Sequence, residues 1–444
     1  MKSLVFKEVG LFKRSYFKQL AKNFSWMMLD QAIKILVGFL ISVYVIRYLG
    51  PKDFGILSYA TAIVGVLYPF ATLGTDAILF RNMLKNKQGT FVYMDTTQVI
   101  RLAACVPLVF FVAILVAFVP GEKEFRGVLW LMLVGLIFDT SRVYKEYFLS
   151  NSQNKYIAIS SISSVFASNF VKLLLILFGF SVVWFGFAYV VAKSLDFLSL
   201  RYIFRNKNKN KNKTRYLYSR SVASSMLRDS WPLIFTSFAG LLYLSVDQIL
   251  VGNILGYEQL GIYSAGTKLV LVLYVVPSVI SNILYPKVIA LHKSDSTDSF
   301  VKKLEQVYFI CLLMALVIFL FYLVFGRYLI DILFGAEYGD SVVILQIYSL
   351  SILFVFFNSM NNKLLMIDNL QKLMLSRNVF GLIVNAVLGI SLIPKYGVVG
   401  AAIGTALAQI FLMLSYGMHK RTRYILWLQL KAFVYPYYFL KERK

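Results

Sequence analysis

Ionisable side chains set inside long apolar runs are the residues of this sequence that could do chemistry. They are Asp30 with Lys34, Arg101, Lys172, Lys193 with Asp196, Asp247, Lys268, and the run Asp139, Arg142, Glu146. A charge held in hydrocarbon is costly, so each such group is a candidate for binding a charged cargo or ion. The competing role is a structural ion pair, or a long side chain reaching back to the interface. Asp30 and Lys34 stand four residues apart, hence on one helix face, and Gly38 and Ser42 continue that small, polar stripe. Such a face suits a helix that lines a cavity, and cavity lining is compatible with local ion pairing. Asp247 lies 17 residues beyond Ser230, about 25 Å along a helix, and shares its face with Gly240 and Tyr243. It has no cation within four residues, so its partner must come from another helix; Lys268, at a similar depth, offers a bridge. Lys193 sits near mid-membrane and is a better cavity candidate than Lys172, which can snorkel outward. Asp139, Arg142 and Glu146 have the spacing of a structural ion-pair chain along one helix.

Other chemistries lack their residues. The two histidines, His292 and His419, fall in or beside predicted cytoplasmic segments, and the two cysteines, Cys105 and Cys311, lie in apolar runs. Neither pair builds a metal site or a disulfide framework. Gly261 to Lys268, GIYSAGTK, is a near miss to a phosphate-binding loop, but Thr267 and Lys268 are in the wrong order and the stretch opens an apolar helix. With no cofactor implied, energy for any transport comes from an ion gradient, H+ or Na+, or from the cargo's own gradient.

The elements that must position these charges are membrane helices. The 444 residues are 59% hydrophobic and 15% charged, with a mean hydropathy of +0.70, which is the composition of a polytopic membrane protein. A spanning helix needs about 20 mostly apolar residues. Twelve stretches qualify: 24–46, 54–80, 96–119, 126–149, 156–178 and 182–204, then 230–253, 259–285, 304–326, 340–362, 372–393 and 398–419. Between the sixes lies the strongly polar stretch Arg205 to Arg228, RNKNKNKNKTRYLYSRSVASSMLR, which predicts a solvated, flexible cytoplasmic loop. An even number of crossings then puts both termini inside. On that topology 35 of the 46 Lys and Arg residues fall in cytoplasmic parts and six (Arg47, Lys52, Lys123, Arg126, Arg327, Lys395) in outer loops. The asymmetry accounts for the net charge of +25 as a topology signal and removes nucleic acid as its explanation.

The chain therefore divides into a bundle over 1–204 with an amphipathic cytoplasmic N-terminus, a basic linker over 205–229, a bundle over 230–420, and a basic, aromatic interfacial tail over 421–444. The two sixes read as copies. Leu49-Gly50 followed by Phe54-Gly55-Ile56-Leu57-Ser58 recurs as Leu255-Gly256 followed by Leu260-Gly261-Ile262-Tyr263-Ser264, an offset of 206 residues, and Pro69 has its counterpart in Pro277. The expected fold is all-α, with twelve transmembrane helices in two six-helix bundles related by a pseudo-two-fold repeat whose axis runs along the membrane normal. Pro69, Pro107 and Pro277 predict bends within spans, and Gly400-x-x-x-Gly404 predicts close helix packing.

Residues 245 to 291, SVDQILVGNILGYEQLGIYSAGTKLVLVLYVVPSVISNILYPKVIAL, resemble the polysaccharide transporter family, bacterial flippases of lipid-linked O-antigen repeat units. The match is carried by Asp247-Gln248-Ile249-Leu250, Leu255-Gly256, Gly261 to Ala265, Pro277 and Pro286. The superfamily also holds multidrug and toxin extruders and the peptidoglycan-precursor flippase. The resemblance implies two bundles around a cavity open alternately to either side of the bacterial inner membrane, and contact with polysaccharide assembly proteins. Its implied cargo is an oligosaccharide on undecaprenyl diphosphate, passed from inner to outer leaflet while its lipid tail stays in the bilayer. A diphosphate in that cavity needs cations in place of water. Lys34 and Lys193 are the expected contacts, with Asp30 holding Lys34, Lys268 a third cavity cation, and Asp247 the group that couples movement to H+ or Na+. Two rivals stand beside this reading: a cation-coupled multidrug exporter of the same superfamily, and a membrane polymerase or acyltransferase. Enzymes of the second kind usually carry a sizeable outer loop or a catalytic His or carboxylate pair at the surface; the outer loops here are around ten residues or fewer, and no such pair is visible.

Overall fold

The computed structural model describes residues 2–118, 121–208, 217–282, 284, 297–368 and 370–441. Pro286 and His292 lie outside the described residues, as do the linker's 209–216, the tail's 442–444 and the side chains of the amphipathic N-terminus. Among the described residues every regular element is helical, as the apolar runs predict. Among the described residues, ten helices are long and apolar enough to cross a membrane, against the twelve expected. The difference lies in two of them, Ser25–Lys85 and Leu373–Gly417, each of which covers two predicted spans.

Both bend at a glycine. In α1 (Lys2–Thr72) Gly50 has φ 67 and ψ 175, and in α13 (Gln371–Leu414) Gly397 has φ 61 and ψ −144. Positive φ is open to glycine without steric cost, so two helical arms meet directly at a sharp change of direction. Straight, the 71 residues of α1 would extend on the order of 100 Å, several times the ~30 Å hydrocarbon core. In α13 the second arm folds back on the first. A Cβ on Gly400 would lie 2.3 Å from the Leu392 carbonyl oxygen, and Gly404 faces Leu388. Arg377 of the first arm donates to Ser415 Oγ (2.9 Å) and to the Leu412 carbonyl (2.8 Å) at the end of the second. The small-residue spacing therefore packs one helix against itself.

The chain clusters into two compact units, one of residues 1–45 and 63–238, the other of 46–62 and 239–444. In the first, α2 (Asp76–Lys85), α3 (Thr90–Phe118), α4 (Lys123–Asp139) and α5 (Val143–Ser150) pack with α6 (Asn154–Leu177) and α7 (Val182–Lys207). The turn Thr140–Arg142 between α4 and α5 is a 3₁₀ helix. Ile78, Leu79, Met83, Met94, Phe148 and Phe204 are part of its apolar core. The helix pair α4 and α7 runs in parallel, with Gly135 against the Tyr189 ring, where an added Cβ would come within 2.5 Å. That close approach fixes the register of everything one turn further on.

The second unit takes in α8 (Arg220–Leu255) from Ala239 onward, α9 (Tyr257–Leu273), α10 (Thr297–Leu333), α11 (Ser341–Ser349), α12 (Ser351–Ile367), α13 and α14 (Arg423–Lys441). Polar residues are turned inward in both units, with Arg101, Thr140 and Ser160 in one and Asn361 and Gln429 in the other fully buried. Large apolar side chains such as Phe110, Phe118, Leu177 and Val324 are exposed. This inversion suits a chain whose solvent is lipid.

One expectation needs correction. The polar stretch 205–228 is not loop throughout: α7 runs to Lys207 and α8 begins at Arg220, with Arg81 paired to Asp229. Ala, Met, Leu and Arg are good helix formers, and they let α8 start well before its apolar run. In the tail, Lys431 of α14 reaches the buried Glu305 of α10 at 2.7 Å, and Ile425, Leu428 and Ala432 are buried.

Candidate functional site

Asp30 and Lys34 meet as their spacing requires, at 2.7 Å, with 15% and 38% of their side chains exposed. A Cβ on Gly38 would meet nothing within 4 Å, so the stripe faces open space. Ser42 turns its hydroxyl onto its own helix, at the Phe39 carbonyl. Lys145 of α5 lies within electrostatic reach of Lys34, Arg142, Glu146 and Asp196.

Asp139 is the centre of this constellation. Lys193 Nζ sits 2.6 Å from its Oδ2, and Arg142 Nε lies 3.9 Å from its Oδ1. The pairing of Lys193 with Asp196 that the α7 spacing suggests is not formed; Asp196 accepts instead from Ser160 Oγ at 2.7 Å. The reason is the register of α4 on α7. Gly135 lies against Tyr189, so one turn on Asp139 lies against Lys193, and the carboxylate of the neighbouring helix outcompetes the one three residues away. Of the ion-pair chain expected of Asp139, Arg142 and Glu146, the first link forms, at 3.9 Å across the 3₁₀ turn Thr140–Arg142, and the second, from Arg142 to Glu146, does not. Arg142 swings to Tyr68, donating Nη1 to its hydroxyl at 2.6 Å. Glu146 has no ion-pair partner among the described residues.

From Tyr68 the network continues to Asp76, whose Oδ2 accepts from the tyrosine hydroxyl at 3.3 Å and whose Oδ1 lies 2.8 Å from Arg101 Nη2. Arg101 is completely buried and also donates to Thr75 Oγ1 (2.8 Å) and the Thr140 carbonyl (3.4 Å). Lys193, Asp139, Arg142, Tyr68, Asp76 and Arg101 thus form one relay through α7, α4, the 3₁₀ turn, α1, α2 and α3. Positive and negative side chains alternate along it, with the Tyr68 hydroxyl bridging Arg142 to Asp76. Such an arrangement holds cations ready in low dielectric while letting each exchange its carboxylate for another anion. Lys172, the snorkelling candidate, lies 3.5 Å from Asn169 Oδ1 and outside the relay.

In the second unit Asp247 is 6% exposed. Its Oδ2 accepts from the Tyr263 hydroxyl and from Thr405 Oγ1 (3.4 Å), and its Oδ1 has no hydrogen-bond partner among the described residues. Beside it Gln409 Nε2 donates to the Tyr243 hydroxyl (2.8 Å) and Asn358 Nδ2 to Gln409 Oε1 (3.1 Å). The expected Asp247–Lys268 bridge is not formed. Lys268 is five residues beyond Tyr263 on α9, so it points about 140° away around the helix from the residue that meets Asp247. Gly261 to Lys268 is helical, and Gly261 to Thr267 are buried, so the stretch is no phosphate-binding loop.

Sequence reasoning missed Tyr68, Asp76, Lys145, Tyr263 and Thr405 as members of these networks. Asp76 closes the second predicted span and Lys145 counts among the cytoplasmic cations, so neither stands out; the tyrosines are lost among 29 in an aromatic chain.

A family model described as polysaccharide biosynthesis protein matches residues 20–292, more than half of the chain. The capsular polysaccharide biosynthesis protein CapF of Staphylococcus aureus is 25% identical over 405 residues, 89% of this chain and 98% of that protein. An uncharacterized membrane protein of Methanocaldococcus jannaschii is 22% identical over 420 residues, 88% of this chain and 82% of its own length. Among solved structures, the lipid II flippase MurJ in an inward closed conformation matches with a TM-score of 0.71 at 14% identity, over 93% of this chain and 91% of MurJ. An inward-facing multidrug resistance transporter of the MATE family, in the MOP superfamily, matches with a TM-score of 0.65 at 14% identity, over 90% of this chain and 95% of its own. At these identities the solved structures establish a shared fold.

Proposed function

The chain belongs to the polysaccharide biosynthesis protein family, and from that premise we propose that it is a flippase for oligosaccharide carried on undecaprenyl diphosphate. The cargo is a repeat unit of O-antigen or a related polysaccharide, moved from the cytoplasmic to the outer leaflet of a bacterial inner membrane by alternating access. The observation that carries this reading is the cluster of cations in the first unit, half-buried Lys193 and buried Arg101 within the relay and half-buried Lys34 and Lys145 outside it, Lys145 within electrostatic reach of Lys34 and of Arg142 in the relay. A diphosphate taken from water needs charge-assisted donors in its place, and these are the groups in reach of one another that can supply them. The capsular function named for the Staphylococcus aureus relative supports a polysaccharide cargo over a drug.

The finer architecture follows the same reading. Counting each bent helix, Ser25–Lys85 and Leu373–Gly417, as two crossings gives twelve, and the bias of Lys and Arg puts both termini in the cytoplasm. Lys34 and Lys193 contact the anionic head, Asp30 and Asp139 hold them between cargoes, and Lys268 lines the path in the second unit. Asp247, a buried carboxylate with one unpartnered oxygen, couples movement to H+ or Na+. Polysaccharide assembly proteins deliver the cargo and receive it.

Depletion of the protein tests the reading. Lipid-linked oligosaccharide should accumulate on the cytoplasmic leaflet and be cleared when the gene is restored. Accumulation on the outer leaflet would assign the protein to a later step and overturn the proposal. Lys34→Gln and Lys193→Gln should each stop clearance with the protein still folded in the membrane; normal clearance by both would remove these lysines from the mechanism.

A further inference from the structure

The stripe of Asp30, Lys34 and Gly38 on α1 continues toward the N-terminus at Trp26, four residues before Asp30 and about 12 Å short of Lys34 along the helix. Over the indole lies Lys155 of α6, with Nζ 5.9 Å from the ring centroid. The next residue, Tyr156, takes Lys207 of α7 over its own ring at 3.9 Å. Tyr156 is itself fixed against the fully buried Phe148, ring centroids 5.5 Å apart. The first turn of α6 therefore gathers a pair of ammonium groups and an indole, all within the first unit. Both lysines are exposed, and neither has a carboxylate partner among the described residues.

Lys34, Lys193 and Arg101 are each held by an acid. Lys155 and Lys207 are instead backed by π faces, which hold an ammonium in place without neutralising it. Each keeps its charge for an anion that arrives from outside the protein. The half-buried indole adds an electron-rich apolar plate, the kind of surface on which the C–H face of a sugar ring packs. We infer that Trp26, Lys155 and Lys207 form a loading site where the head of the cargo is taken up before it enters the cavity. The lysines receive the diphosphate, the indole receives the first sugar, and the head then moves along the α1 stripe to Lys34. The charge-derived topology puts these residues at the cytoplasmic mouth. The inference rests on the reading of the cargo as a sugar carried on a lipid diphosphate. A phospholipid offers the same phosphate chemistry, and the sugar is what tells the two apart.

Binding to the full chain in nanodiscs of neutral phosphatidylcholine tests the site. The probes are radiolabelled farnesyl diphosphate bearing N-acetylglucosamine, farnesyl diphosphate alone, and phosphatidylglycerol. Lys155→Gln and Lys207→Gln should each weaken the sugar-bearing probe about fivefold, the worth of one cation at the headgroup level. Trp26→Leu should weaken the sugar-bearing probe and leave farnesyl diphosphate unchanged. If that variant does not fold, Trp26→Phe, which keeps a ring but a smaller plate, should show the same selective loss. Lysine effects as large on phosphatidylglycerol, with no selective loss from either Trp26 variant, would reduce the site to a phospholipid contact and overturn the proposal. Loss of thermal stability with probe affinity unchanged would make these ring contacts structural and overturn it as well. Failure of the parent protein to bind the sugar-bearing probe would overturn the cargo reading together with the site. Binding by the parent that every variant retains in full would overturn the loading site alone.

Discussion

Removing the Lys193–Asp139 bridge separates a structural lysine from one that handles cargo. At 2.6 Å the two charges attract by about 6 kcal/mol at an effective dielectric of ~20, most of which is offset by desolvation of two ions. Taking away one partner of a buried pair typically costs about 3–5 kcal/mol, because the other charge is left uncompensated. Asp139, with only 7% of its side chain exposed, keeps Arg142 at 3.9 Å, so Lys193→Met should cost about 3 kcal/mol, the low end of that range. Lys193, at 27% exposure, can turn partly toward solvent when its partner is neutral, so Asp139→Asn should cost about 2 kcal/mol. The double variant leaves no orphan charge and should fall within about 1 kcal/mol of the parent. The resulting coupling of roughly 4–5 kcal/mol is read from a double-mutant cycle of thermal unfolding in nanodiscs, where the single variants should melt on the order of 5 °C lower. Clearance of lipid-linked oligosaccharide is measured on the same three variants. A structural bridge predicts that the double variant regains both stability and transport. A cargo-handling Lys193 predicts that it regains stability alone. Additive effects, with coupling below about 0.5 kcal/mol, would refute the pair; a stable double variant with normal clearance would refute the role of Lys193.

Asp247→Asn should leave the protein at least as stable, since it removes a buried charge with one oxygen unpartnered, yet transport in proteoliposomes should cease to respond to an imposed H+ or Na+ gradient; an unchanged response would place coupling elsewhere. Arg101→Met removes a completely buried guanidinium and leaves Asp76, whose side chain is 38% exposed, without its cation; it should cost about 2–3 kcal/mol, below the range for two fully buried partners, seen as loss of monodisperse protein on detergent extraction, and wild-type recovery would show that the relay does not hold the first unit together. Outside the spans, the Tyr424 hydroxyl donates to Asp368 at 2.6 Å, and burial first, then that carboxylate, raise its pKa. Because the unfolded tyrosine loses its proton first, near pH 10, the stabilisation is intact below about pH 10 and falls above it. Tyr424→Phe should cost about 1 kcal/mol at neutral pH and flatten the alkaline slope of thermal stability; an unchanged slope would remove the bond from the docking of α14.

How much of this was legible beforehand differs from residue to residue. The Asp30–Lys34 pair was, because both charges sit on one unbroken helix and their separation is fixed by its pitch. Lys193 was recognised as a buried cation but given the wrong acid, since helical spacing ranks only partners on the same helix. Asp139 won through the approach of α4 to α7 at Gly135, a contact invisible until both helices are placed. The Asp139–Arg142 pair was legible from its spacing, but the link onward to Glu146 was not formed, because Arg142 turns to Tyr68 on another helix. The Asp247–Lys268 bridge failed on rotation, since equal depth in a bilayer says nothing about which way a helix faces.

Composition and order along the chain determined the all-helical class, the membrane as solvent, the positions of the apolar segments and the recurrence of one short pattern 206 residues on. Each of these follows from local quantities, the length of an apolar run, the sign of the charges flanking it, the recurrence of a short pattern, that need no partner in space. Tertiary structure alone decided which acid holds which base, that Gly400 and Gly404 pack one helix on its own earlier arm, and that residues 46–62 cluster with the second unit. Those outcomes depend on how near two backbones come and how each helix is turned about its axis, and both are set by packing between segments up to two hundred residues apart.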